Sequence, residues 1–254
     1  MFISKCDAET ISSAAKVLKE GNLVAFPTET VYGLGADAEN EKAVSRIYKV
    51  KGRPEDHPLI VHISEIQDLD SWAIEIPDYA IQLARDFWPG PMTLILNRSS
   101  LAADFITGGQ DTVGIRIPDH PISLALLNSF HELGGQGIAA PSANRFGKLS
   151  PTNAEVVREN IGSFLDPSKD FILDGGDCKV GIESTIIDCT NSNPVIVRPG
   201  VISAKIVERN LNYAFIQSME KLNAPGSHIS HYKPNTKILL NSNPKAGQGL
   251  IALV

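Results

Sequence analysis

The chain has 254 residues, 43% of them apolar and 20% charged, the composition of a folded domain with a sizeable core and not of a disordered or fibrous chain. Its apolar runs fall well short of the roughly 20 residues a membrane helix needs, MFISKCDAET has no signal-peptide core, and three cysteines at no metal-ligand spacing suit a reducing cytoplasm. A net charge of −6 argues against a broad nucleic-acid platform, which shows a basic face, so an anion would have to be held by a local cluster of cations.

Along the chain, helical periodicity over 8–19 is followed by a strand over 23–26. Further helices are predicted over 42–50, 79–87, 122–133, 153–160 and 203–212, the fifth helix preceded by SPTN as a capping signal. Further strands are predicted over 59–63, 92–96, 112–117, 137–140, 171–173, 184–188 and 195–198. Helices and strands alternate early and strands dominate later, which predicts an α/β fold with a twisted, mixed β-sheet and flanking helices. After Ser218 the stretch MEKLNAPGSHISHYKPNT is polar and broken by prolines and glycine, so it reads as a linker. The expected organisation is a catalytic domain over 1–217, a linker or flap over 218–236, and a remnant of a second domain over 237–254, too short to bury a core alone.

The familiar nucleotide signatures are absent. There is no GxxxxGK[ST] loop, and the two GxGxxA matches, at 135–140 and 247–252, lead into predicted strands instead of following a strand and opening a helix. The six histidines show no zinc pattern, and no metal site is predicted.

Several stretches do suit an anionic ligand, each with a plainer alternative. In FPTETVYGLG, Thr28, Thr30 and Tyr32 share one side if the segment is extended, and Gly33 and Gly35 suggest a turn; the alternative is a capped connection. In KGRP, Lys51 and Arg53 point together if extended, a geometry that Pro54 favours at Arg53; the alternative is a solvated basic turn after a helix. TVGIRI puts Thr112, Gly114 and Arg116 on one face, an arginine fork and a hydroxyl with room between them, unless that face is merely exposed. APSAN offers Ser142 and Asn144 beyond a strand end, or else a simple polar turn. VIVRPG repeats the Arg-Pro arrangement at Arg198.

Taken together and in order, FPTETVYGLG, KGRPEDHPLIVHI, WPGPMTLIL, TVGIRIPDH, APSANRFGKLSPT, GIESTIIDCT and VIVRPG resemble the threonylcarbamoyl-AMP synthase family, the YrdC-like proteins, over about residues 8–212. APGSHISHYKP resembles the linker of its longer members. The resemblance implies a twisted α/β sheet around a large, positively charged concave cavity. It implies synthesis of L-threonylcarbamoyl-AMP from L-threonine, bicarbonate and ATP with release of pyrophosphate. Downstream tRNA threonylcarbamoyl-transferase proteins would then use the product, with only indirect tRNA contact. Mg²⁺ would accompany ATP, with no dedicated protein cage.

Carried over residue by residue, ATP binding falls on Lys51, Arg53, His57, Thr112, Ser142, Asn144, Ser150 and Arg198. L-threonine binding falls on Thr30, His62, Arg116, the Ala140 backbone and Ser184. Lys51 and Arg53 would stabilise the charge that develops at phosphorus, and His231 and Tyr232 would close over the nucleotide as a flap. Two rival readings are an RNA-binding module using the same basic cavity without catalysis, and a carbamoyl-transfer domain of hydrogenase maturation.

Overall fold

The computed structural model describes residues 3–211. The expected linker, with His231 and Tyr232, and the expected second-domain segment over 237–254 lie outside the described residues, as does the 212–217 end of the expected catalytic domain.

Eleven strands form one mixed sheet: β1 (Ile3–Lys5), β2 (Val24–Phe26), β3 (Gly33–Asp37), β4 (Ile60–His62), β5 (Ala73–Ile74), β6 (Met92–Arg98), β7 (Thr112–Arg116), β8 (Ile138–Ala139), β9 (Phe171–Asp174), β10 (Thr185–Asp188) and β11 (Val195–Arg198). Their order is β1-β9-β2-β3-β8-β4-β7-β6-β10-β11, with β5 paired to β6. Among the described residues eight α-helices accompany them: α1 (Ala8–Lys19), α2 (Glu41–Lys51), α3 (Leu69–Trp72), α4 (Asp78–Phe87), α5 (Asp104–Thr107), α6 (Pro121–Glu132), α7 (Ala154–Ile161) and α8 (Ala204–Leu211). No helix among the described residues is long and apolar enough to cross a membrane.

The longer helices follow from local chemistry. In α1, Ile11, Ala14, Ala15 and Leu18 are buried at the spacing of one helical face, and the Asp7 side chain caps the start by accepting from the Thr10 N–H at 2.8 Å. Asn40 and Asn153 cap α2 and α7 in the same way, and Pro121 occupies the first turn of α6, where its missing N–H costs nothing.

Alternation along the strands divides the core. Ala25, Val61, Leu94, Leu96, Ile172 and Ile187 join the larger cluster, which also takes in residues from α2, α3, α4, α5, α7 and α8. Their neighbours Val24, Phe26, Ile138 and Leu173 point the other way and pack under α1 and α6. Further along this second face, Ile60, Ile95 and Ile186 form a small cluster to which no helix contributes. The register puts His62 opposite both Ile138 and Arg116, and Arg198 opposite Ile186. One sheet face thus carries two helices over one half and polar side chains over the other.

Two expectations need correcting. Lys51 is the last residue of α2, and Gly52 follows at φ 60° and ψ 38° as a left-handed cap, so Lys51 and Arg53 are not two positions of one extended segment. GLGAD is not a turn but the buried strand β3. Gly35 is required there because a Cβ would lie 2.8 Å from both Phe26 Cε1 and Ile138 Cγ2.

Candidate active site

The half of this face that carries no helix among the described residues forms the floor of a cavity with about 540 Å³ of empty space, open solvent included. Three loops wall it. The first, after β2, is not extended as expected: Thr28 Oγ1 accepts from the Thr30 and Val31 N–H groups and donates to the Val31 carbonyl at 2.7 Å, so the chain bends back on itself. This loop is tied to the other two by backbone bonds. Tyr32 N–H donates to the Pro151 carbonyl at 2.9 Å, Ala143 N–H to Tyr32 at 2.8 Å, and Val180 N–H to Glu29 at 2.8 Å. The Tyr32 hydroxyl donates to the Gly176 carbonyl and accepts from the Gly175 N–H, pinning the third loop.

Arg53, Arg116 and Arg198 all reach this cavity. Arg116 is 4% exposed; its Nη2 donates to Glu29 Oε1 at 2.5 Å and its Nε to the Gly90 carbonyl at 3.2 Å. In Arg198, Nη1 donates to Glu183 Oε2 at 2.7 Å, Nη2 to Ser184 Oγ at 3.0 Å and Nε to the Ser184 carbonyl at 3.0 Å. Ser184 Oγ also lies 2.8 Å from Thr93 Oγ1, and Ser150 Oγ donates to Glu183 Oε1 at 2.8 Å. Arg53 differs: Nη2 donates to the Pro58 carbonyl at 2.9 Å, and it has no ion-paired carboxylate among the described residues. Burial lowers the pKa of Arg53 and of Arg116, yet an arginine so far above neutrality stays charged. Among the described residues, Arg116 and Arg198 are thus each ion-paired to a glutamate, and Arg53 is not.

Lys51 lies behind this wall. Its ammonium donates to the Ser142 and Asn144 carbonyls at 2.5 and 2.6 Å, and burial, reinforced by Arg53, holds its pKa well below the ordinary lysine range. Asn144 Nδ2 in turn donates to the Lys148 carbonyl at 2.7 Å, so lysine and asparagine together fix the APSAN loop. His62 lines the cavity and meets Phe26 edge-on, ring centres 6.0 Å apart. Burial, with Arg116 adding to it, pushes its pKa down to about 3, so the ring is neutral near pH 7. Its Nδ1 is buried without a hydrogen-bond partner among the described residues.

Of the residues singled out in the sequence, Thr30, Arg53, His62, Arg116, Ala140, Ser142, Ser184 and Arg198 line this one cavity. Lys51, His57, Thr112, Asn144 and Ser150 are outside its lining. Thr112 and Arg116 do share a strand face, but at opposite ends of β7. A Cβ on Gly114 would meet Ile60 and Thr93 at ordinary contact distance, 3.5 Å. Sequence reading overlooked Glu29 and Glu183. The available signal was that each stands inside one of the motifs quoted above, among residues assigned to an anionic ligand, where a carboxylate needs a cationic partner.

A family model described as "Telomere recombination", covering Sua5, YciO and YrdC proteins, matches residues 16–200. A threonylcarbamoyl-AMP synthase of Pyrococcus abyssi is 45% identical, over 92% of this chain and 68% of the relative. One of Bacillus subtilis is 43% identical, over 95% of this chain and 69% of the relative. Among solved structures, that of P. abyssi Sua5 complexed with L-threonine superposes with a TM-score of 0.84 at 43% identity, over 92% of this chain and 69% of that one. The continuous match and the shared mixed sheet place this chain in the Sua5/YciO/YrdC family.

Proposed function

We propose that this chain makes L-threonylcarbamoyl-AMP from L-threonine, bicarbonate and ATP, releasing pyrophosphate. The observation that carries the reading is the convergence of Arg53, Arg116 and Arg198 with the Thr30, Ser142 and Ser184 hydroxyls on one cavity. A relative with 43% identity is complexed with L-threonine, which supports an amino-acid substrate. Threonine would enter as a zwitterion, and the Arg116 guanidinium offers its carboxylate two parallel donors.

Once the ammonium has given a proton to solvent, attack of the amine on bicarbonate with loss of water, or on carbon dioxide with loss of a second proton to solvent, gives a carbamate. A carbamate oxygen then attacks the α-phosphorus, and the bond to the bridging oxygen of pyrophosphate breaks. This chain supplies positioning and charge rather than a covalent nucleophile. Arg53, with no ion-paired carboxylate among the described residues, is suited to the phosphates, and Arg198 to the charge that grows as pyrophosphate leaves. His62 at a pKa near 3 is too weak a base to take the ammonium proton; its neutral ring is suited to hydrogen bonding. Mg²⁺ would arrive on the nucleotide phosphates as part of the substrate, because Glu29 and Glu183 are already held by guanidiniums.

The labile mixed anhydride would pass to tRNA threonylcarbamoyl-transferase proteins in the cytoplasm, any contact of this chain with tRNA being indirect. Pyrophosphate release measured with ATP, Mg²⁺ and bicarbonate, with and without L-threonine, tests the reading. Threonine-dependent release is expected. RNA affinity that falls steeply with salt, without pyrophosphate, would favour the RNA-binding module instead.

A further inference from the structure

Glu29 does not line the cavity, yet it is 3% exposed and both its oxygens are used. Oε1 accepts from Arg116 Nη2, and Oε2 accepts from the Asp119 N–H at 3.0 Å. Arg116 gives its Nε–H to the Gly90 carbonyl. A guanidinium is planar, and its Nε and Nη2 protons share one edge. That edge is occupied by Gly90 and Glu29. Nη1 has no hydrogen-bond partner among the described residues, so the Nη1–Nη2 edge is the one left to meet a ligand in the cavity.

We infer that Glu29 is a positioning residue: by holding the Nε–Nη2 edge of Arg116 it turns the Nη1–Nη2 edge toward the substrate carboxylate and so sets affinity for the amino acid. The inference rests on the proposed reaction for its substrate. Arg116 would otherwise be a buried cation with only the Gly90 carbonyl to orient it. The Asp119 contact matters equally. It anchors Glu29 to the corner before α6, where the His120 Nδ1 accepts from the Ile122 N–H at 3.2 Å, so the carboxylate cannot swing with the guanidinium. An amide cannot replace it, because the two donors meet different oxygens of Glu29 and an amide would turn its NH₂ toward one of them.

The test has two arms. In substrate-free wild-type protein, ¹⁵N-arginine spectra should show a guanidinium, assigned through Arg116→Lys, whose Nη protons exchange slowly and whose rotation is hindered. A freely rotating Arg116 would overturn the inference, whatever reaction the protein catalyses. In steady-state kinetics, Glu29→Gln should raise the KM for threonine roughly tenfold with kcat and the KM for ATP little changed, the signature of lost binding to one substrate. Glu29→Asp, which keeps two acceptors, should lie between Glu29→Gln and wild type. An unchanged or lower threonine KM in Glu29→Gln, or an equal rise for both substrates together with a lower Tm, would also overturn the inference. Failure of the wild type itself to release threonine-dependent pyrophosphate would count against the proposed reaction, leaving the spectroscopic arm to decide the role of Glu29.

Discussion

Lys51 and Arg53 are separated by a single glycine, yet one ends against two backbone carbonyls inside the protein and the other at the cavity. Their substitutions should therefore fail in different ways. Lys51→Met leaves the Asn144 carbonyl without its donor and the Ser142 carbonyl with only the Asn144 N–H at 3.0 Å, an unmet buried acceptor costing about 1–3 kcal/mol. Chemical denaturation should show a stability loss of about 1–3 kcal/mol, with lower activity as the loop loosens. Arg53→Ala should leave stability closer to wild type and weaken ATP binding by about 2–5 kcal/mol, the cost of removing one partner from a buried charge contact. Equal stability losses in the two variants would contradict this division of labour.

His62 makes a separate prediction. Its folded pKa of about 3 lies below the ordinary imidazole value of about 6.5. Between those values the unfolded chain binds a proton that the folded chain does not, so its contribution is intact above about pH 6.5 and is lost as the pH falls, by up to about 1.4 kcal/mol per unit. His62→Gln should flatten the stability loss between about pH 6.5 and 5 in denaturant titrations. An unchanged slope would show that other groups set it.

The strands and helices that carry apolar periodicity were legible because packing and local pattern agree in them; β6, β7, α1 and α6 are examples. What escaped was short or atypical. β1 and β5 have three and two residues, and α3 and α5 one turn each, too few to show a period. β3 was hidden by its glycines, which usually mark turns but here admit the Phe26 ring against the backbone. Gly35→Ala should cost about 1–3 kcal/mol through overpacking against Phe26 and Ile138, read as a lower Tm. A shift within error would mean the contact is looser than its 2.8 Å separations imply. At the site, the cations and hydroxyls were legible from motif chemistry. The partner of each cation was not, because Arg116–Glu29 joins residues 87 positions apart and only the folded chain brings them together.

At the largest scale, the site exists because, among the described residues, α1 and α6 cover only part of one sheet face. Strand ends, three cross-linked loops and two arginine–glutamate pairs fill the remainder, giving a polar cavity on a rigid floor. The central claim is that this one cavity joins an amino acid, a one-carbon unit and a nucleotide. The most direct measurement supplies ¹³C-bicarbonate with L-threonine and Mg-ATP and follows the product by ¹³C and ³¹P NMR at early times. The account predicts one labelled carbonyl carbon per AMP, coupled to its phosphorus and present only with threonine. An unlabelled threonyl adenylate, or AMP release that ignores both bicarbonate and threonine, would contradict it.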